Sequence, residues 1–243
     1  MRRKKIGFVV ISALFLGVLL LTAGCGEESS EHIVVDETLD TPVTAVDIRW
    51  INGTVTLEQS DSGQIRMVQN ASDKISRSRY MTYDVENGRL TITDNNKKMI
   101  GFTHGTDLTL YLPETEYESM RVDTANGLVS GDRFGADQVE VGVTNGDISL
   151  NAACHTLLLD TVNGDMDVSC QTMPDMIDLD ITNGDASLAL PEECGFTLEY
   201  NKNNLESAFP LIQEDDSYVY ETGQSQIKAD ITNGKLELLM SEQ

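Results

Sequence analysis

Residues 139–150 read Val-Glu-Val-Gly-Val-Thr-Asn-Gly-Asp-Ile-Ser-Leu. Val139, Val141 and Val143 stand at alternate positions up to Asn145-Gly146, and Ile148 and Leu150 then alternate with the opposite parity. An apolar period of two is that of a strand with one buried and one solvated face. Asn-Gly suits a sharp change of direction between two such strands. Both residues tolerate positive φ, Gly because it has no Cβ and Asn because its short side chain bonds locally. The stretch therefore predicts strand, turn, strand.

The dipeptide recurs at Asn52, Asn87, Asn126, Asn145, Asn163, Asn183 and Asn233, and the four central copies are 19, 18 and 20 residues apart. A period near twenty residues is the signature of a repeat architecture. Aligned on the Asn, the next unit gives Leu157, Leu159 and Thr161, then Met166 and Val168; the third gives Ile177, Leu179 and Ile181, then Ala186 and Leu188. The last gives Ile227, Ala229 and Ile231, then Leu236 and Leu238. The units at Asn52 (Val46, Ile48, Trp50, then Val55, Leu57) and Asn87 (Met81, Tyr83, Val85, then Leu90, Ile92) obey the same template. The unit at Asn126 fits more loosely, with Met120, Val122 and Thr124, then Val129 and Gly131.

Two folds satisfy this pattern. Asn-Gly between alternating runs is a strong hairpin signal, which would give a hairpin-based sandwich. In a solenoid each unit is one coil, and equivalent residues superpose about 4.8 Å apart, so spacing and inward chemistry stay constant. The constant register at Asn126, Asn145, Asn163 and Asn183 favours the second: an all-β, β-helix-like solenoid of about 19-residue strand-Asn-Gly-strand coils. The longer intervals, 35 residues from Asn52 to Asn87 and 39 from Asn87 to Asn126, leave room for extra coils or a capping hairpin. The interval from Asn183 to Asn233 contains the most irregular segment, residues 201–218, and is expected to form a cap.

Leu108-Thr-Leu-Tyr-Leu-Pro113, Val122-Asp-Thr-Ala-Asn-Gly127, Val143-Thr-Asn-Gly-Asp147, Ile181-Thr-Asn-Gly-Asp185, Leu188-Ala-Leu-Pro191 and Ile231-Thr-Asn-Gly234 together resemble the bacterial DUF4097 "toastrack" family of adhesin-like domains. The resemblance covers about residues 43–240. It implies a β-helix-like stack of strands in a cell-envelope protein, often a lipoprotein, with a link to envelope-stress signalling in some relatives. It implies no reaction, no ligand and no catalytic residue.

The chain has 243 residues, enough for one domain of moderate size or two small ones. It carries 40 Asp+Glu against 17 Lys+Arg, a formal net charge of −23. Four of the basic residues and none of the acidic ones lie in residues 1–24, so residues 25–243 carry a net of −27. Nucleic acid is a poor partner for such a surface, as is anionic lipid through a basic face. Hydrophobic content of 40% with 5 Pro argues against disorder.

Arg2, Arg3, Lys4 and Lys5 followed by the apolar run Ile6 to Leu21 read as an export signal. Leu-Thr-Ala-Gly-Cys25 resembles a bacterial lipobox, with Thr22 at the position where Leu is more usual. Residues 1–24 are thus expected to be a lipoprotein signal peptide, with Cys25 the lipidated residue. Residues 25–42 would be the attachment and polar tether, and 43–243 the solenoid domain. Diacylation would hold an acidic domain at the extracytoplasmic surface of the bacterial membrane.

The chemistry on offer is mostly carboxylate. Asp147, Asp165 and Asp185 follow Asn-Gly on three successive coils, and Asp123, Asp160, Asp180 and Asp230 stand three positions before an Asn. Stacked like carboxylates about 5 Å apart repel unless screened, protonated or bridged by a cation. Ca2+, which prefers oxygen ligands, is therefore a candidate for the Asp147, Asp165 and Asp185 column, against the alternative of a solvated turn. Asn126, Asn145, Asn163 and Asn183 are read as a structural turn ladder, each amide bonding to the next coil.

His32, His104 and His155 form no zinc motif. Cys154, Cys170 and Cys194 have spacings of 16 and 24, which fit no metal or redox motif, and Cys170 has inward parity. A polysaccharide-active β-helix hydrolase or lyase is the alternative class, with Asp165 and Asp167 or Asp178 and Asp180 as carboxylate pairs. Against it stand the anionic surface and the lack of long loops to build a cleft. The sequence thus predicts no catalyst but a lipid-anchored binding, adhesin-like or envelope-stress-associated module. Its expected partners are cations, cationic peptides or an envelope protein. A protein or glycan held on an apolar outward patch is the competing reading, with Ile51 one of few outward candidates.

Overall fold

The computed structural model describes residues 32–95, 105–200 and 204–241. The export segment, Cys25 and His104 lie outside the described residues. The strands are β1 (His32–Leu39), β2 (Ala45–Asn52), β3 (Val55–Ser60), β4 (Ile65–Ala71), β5 (Thr82–Glu86), β6 (Arg89–Thr93) and β7 (Thr106–Pro113). They continue as β8 (Ser119–Asn126), β9 (Val129–Asn145), β10 (Ile148–Asn163), β11 (Met166–Cys170), β12 (Met176–Asn183) and β13 (Ala186–Leu190). The last six are β14 (Phe196–Glu199), β15 (Leu205–Ser207), β16 (Ile212–Glu214), β17 (Ser217–Tyr220), β18 (Ser225–Asn233) and β19 (Leu236–Met240). A 3-10 turn, Arg77–Arg79, is the one helical element among the described residues.

These strands wind as a β-solenoid with two faces. The face that leads into the Asn-Gly corner is built in the order β6, β2, β8, β9, β10, β12, β18, β14, all parallel. The face that leaves the corner runs β7, β3, β9, β10, β11, β13, β19, β15, also parallel. β9 and β10 are long because each crosses from one face to the other without a break. Antiparallel strands close the ends: β5 on β6, β4 and then β1 on β7, β17 and then β16 on β14. The sheet edges that would template aggregation are thereby shortened or capped.

The core is two facing walls of stacked side chains. On one, Leu90, Val46, Met120, Val139, Leu157, Ile177, Ile227 and Leu198 succeed one another in register and are all buried. On the other stand Leu108, Val55, Val129, Ile148, Met166, Ala186 and Leu236. Each repeat alone would leave its apolar face wet, and only stacking removes it from water.

Order along the stack is not order along the chain. β6 and β7 lie outside the first coil, β2–β3, which is thus sandwiched between them and β8–β9. At the other end β14 and β15 lie outside the last coil, β18–β19, which fills the slot next to β12–β13. This explains the long intervals around Asn52 and before Asn233: the chain builds an outer coil and cap there, and Asn52 and Asn233 still join the same corner.

Two expectations need correction. Asn87-Gly88 is not a coil corner. It is a two-residue turn between antiparallel β5 and β6, with φ of 52° and 79° as a tight hairpin demands. At the six stacked corners only the Gly has positive φ, and Asn stays extended, so the dipeptide performs two different tasks. His32–Leu39, in the stretch expected to be tether, is β1, antiparallel to β4. Arg66 donates to Asp36 there through Nε and a terminal nitrogen at 2.7 and 2.8 Å, holding the Asp36 carboxyl below its usual range.

Candidate functional site

At the corner, Asn126 Nδ2 donates to Asn52 Oδ1 at 2.7 Å and Asn145 Nδ2 to Asn126 Oδ1 at 3.1 Å. Asn163 donates to Asn145 at 2.9 Å, Asn183 to Asn163 at 2.9 Å and Asn233 to Asn183 at 2.8 Å. Six side-chain amides thus form one chain of hydrogen bonds. Asn52 and Asn233, absent from the predicted ladder, belong to it. Behind them Gly53, Gly127, Gly146, Gly164 and Gly184 each donate their N–H to the Asn carbonyl of the next coil, as Gly146 does to Asn163 at 2.8 Å and Gly164 to Asn183 at 3.0 Å. Only Gly fits there. Gly164 has φ +152°, and a Cβ would overlap the Gly146 carbonyl oxygen.

Asp147, Asp165 and Asp185 lie in the same corner. Asp147 Oδ1 accepts from the Asp165 backbone N–H at 2.9 Å, Asp165 Oδ1 from Asp185 N–H at 2.8 Å and Asp185 Oδ1 from Lys235 N–H at 2.9 Å. One oxygen of each carboxylate therefore closes the turn of the next coil, while the residue itself is exposed. Among the described residues no group of three or more His, Cys, Asp and Glu side chains is placed to hold a metal ion.

The second carboxylate column lies on the outer surface of the face that leads into the corner. Register places Asp123 opposite Gly142, Gly142 opposite Asp160, Asp160 opposite Asp180 and Asp180 opposite Asp230. Two residues earlier on the same strands stand Arg121, Glu140, Leu158, Asp178 and Lys228. Gly142, lacking a side chain, leaves a depression of about 410 Å³ lined by Arg121, Glu140, Asp160, Asp178, Asp180 and Lys228. Arg121 pairs with Asp123 at 2.8 Å and with Glu140 at 2.7 Å, and Lys228 with Asp178 at 3.5 Å. No salt bridge reaches Asp160, Asp180 or Asp230 among the described residues. Partial burial, followed by the charges of Asp160, Asp230 and Asp178, pushes the Asp180 carboxyl above its usual range, with Lys228 opposing.

The other titratable candidates do not assemble. Cys154, Cys170 and Cys194 are buried free thiols. Burial pushes Cys154 up to about 11 and Cys170 to about 12, so neither is a thiolate near neutral pH. His155 Nδ1 lies 3.2 Å from Asp175 Oδ2, but on the solvent side of the strand from which Cys154 points inward. The strand period itself separates the thiol from the imidazole. Ile51 is half-buried, and the exposed large apolar residues are scattered singly: Ile33, Tyr83, Leu128, Val162, Met176, Ile212 and Leu239.

Sequence reasoning missed the Arg121 and Lys228 pairings and the Gly142 notch. The residues carried the signal, two positions before the Asp column, but it becomes readable only once β8 is paired with β9 and β12 with β18.

The two-faced stack with a polar corner ladder defines a β-solenoid. The Toastrack DUF4097 family matches residues 43–189, and the chain belongs to that family. No curated protein matches it. Its fold is shared with a structure described as a putative cell adhesion protein from Clostridium sporogenes. That structure is 12% identical, aligns over 85% of this chain and 99% of its own, and has a TM-score of 0.52. A structure described as a putative adhesin from Bacteroides fragilis is 14% identical over 84% of this chain and 96% of its own, with a TM-score of 0.41. No helix among the described residues is long and apolar enough to cross a membrane.

Proposed function

We propose that the chain is a lipid-anchored, adhesin-like module of the bacterial cell envelope. In this reading it captures cationic partners, such as a basic peptide or the basic segment of an envelope protein, on its acidic face and catalyses no reaction. One observation carries this reading: Asp160, Asp180 and Asp230 stand in register on three neighbouring strands, and no salt bridge reaches them among the described residues, where Lys228 bridges to Asp178 instead. Carboxylates at strand spacing repel one another, and a cationic group laid across them relieves that repulsion. The flat geometry suits an extended partner more than a small substrate, because the depression at Gly142 is open and its walls are single side chains. The net of −27 on residues 25–243 adds long-range attraction, which steers association and is screened by salt.

Titration of the protein with an oligolysine peptide at low and at high salt tests this. The expected result is binding that weakens steeply as salt rises. Absent or salt-independent binding would overturn it.

A further inference from the structure

Six of the seven Asn-Gly dipeptides fall into two environments. At Asn52, Asn126, Asn145, Asn163 and Asn183 the following Gly N–H donates to the neighbouring coil's Asn carbonyl at 2.8–3.0 Å. The side-chain amide of each is held in the ladder. Asn87 differs in every one of these respects. It has φ of 52°, its side chain makes no hydrogen bond among the described residues, and no acceptor there receives the Gly88 N–H. Exposure does not separate the two groups, since Asn145, Asn163 and Asn183 are exposed as Asn87 is. What separates them is whether the reacting atoms are tied down.

We propose that Asn87 is a site of spontaneous covalent modification, deamidation by water through a cyclic imide, and that the corner ladder shields the Asn-Gly pairs at Asn52, Asn126, Asn145, Asn163 and Asn183 from the same reaction. The Gly88 backbone nitrogen, having given its proton to solvent base, attacks Asn87 Cγ. A C–N bond forms to close a five-membered succinimide, the bond from Cγ to the amide nitrogen breaks, and ammonia leaves. Water then adds to one of the two imide carbonyls and that C–N bond opens, giving aspartate or isoaspartate with no change of oxidation state. Gly at the second position places no Cβ in the path of the attack.

At Asn126, Asn145, Asn163 and Asn183 the same attack must first open the Gly N–H bond, the bond the amide donates and the bond it accepts. At about fivefold per bond this slows the reaction roughly a hundredfold. The product at Asn87 adds a negative charge to the capping hairpin. As isoaspartate it also lengthens the backbone beside Gly88, whose carbonyl holds the Thr44 and Ala45 N–H groups at 2.8 and 3.2 Å.

Incubation of the folded full chain at mildly alkaline pH, followed by peptide mass spectrometry, tests the assignment. The peptide containing Asn87 is expected to gain the mass of an amide-to-acid exchange roughly a hundredfold faster than those containing Asn126, Asn145, Asn163 or Asn183. In concentrated urea all five should convert at similar rates. Equal rates in the folded protein, or a ladder site converting first, would overturn the proposal. So would an Asn87 preference that survives unfolding, because neighbouring sequence and not the ladder would then set the rates.

Discussion

Asn163 shows how much one residue carries in a stacked fold. Its amide donates to Asn145 and accepts from Asn183, both at 2.9 Å. Asn163→Ala removes both bonds and leaves a donor and an acceptor at the corner to find water. Because the corner is exposed, the expected loss is about 1–3 kcal/mol in urea denaturation, with the fold retained. Asp180 gives the opposite sign. Its carboxyl holds a proton more tightly in the fold than at the ordinary 3.8, so its ionisation weakens the fold as pH rises through that window. Asp180→Asn is expected to stabilise the protein near neutral pH, by no more than about 1 kcal/mol, and to lose that gain below the ordinary carboxylate range. A variant with the same urea midpoint as the parent at both pH values would show the column to be screened. The alternating parity exposed the ladder residues at the sequence level. It did not show that Asp147, Asp165 and Asp185 each turn one oxygen onto a backbone N–H, because a side chain's hydrogen-bond partner is not written in its spacing.

At the scale of elements, the coils from β8 to β13 were legible because apolar parity and Asn-Gly repeat together. The loose fit at Asn126 has a local cause. Gly131 occupies the place taken by Leu150 on the next coil, and a Cβ there would meet the Phe134 ring at 2.5 Å, so the ring fills the space in its stead. Arg133, with φ of 54°, is the extra residue of the bulge that brings Phe134 inward. The Asn87 unit was misread because a hairpin and a coil corner share both the dipeptide and the flanking alternation. Only the pairing partner tells them apart. The interleaving of the end coils was also beyond sequence reading, since no residue pattern states that β14 leaves a vacant slot for β18. A test follows from that order. Deleting residues 225–243 removes the strands that pair in parallel with β14 and β15. Hydrogen exchange should then show residues 192–224 unprotected while β8 to β11 keep their protection, as nearest-neighbour stacking requires. Collapse of protection along the whole stack would contradict that independence.

At the scale of the molecule, the acidic balance was plain from composition, and the fold explains where it goes. Inward positions are mostly apolar, with Thr124, Thr161 and Gln69 among the exceptions, so most carboxylates crowd onto the outer faces and the corner. Arg121 and Lys228 are consumed by pairs, and among the described residues no salt bridge reaches Asp160, Asp180 or Asp230. The most direct measurement compares oligolysine affinity for three proteins at low salt: the parent, Asp160→Asn/Asp180→Asn/Asp230→Asn, and the charge-matched control Glu37→Gln/Glu58→Gln/Asp61→Asn. The column variant is expected to bind about tenfold more weakly than the control. Equal losses in the two variants would show that net charge alone attracts the peptide and that the column is no binding site.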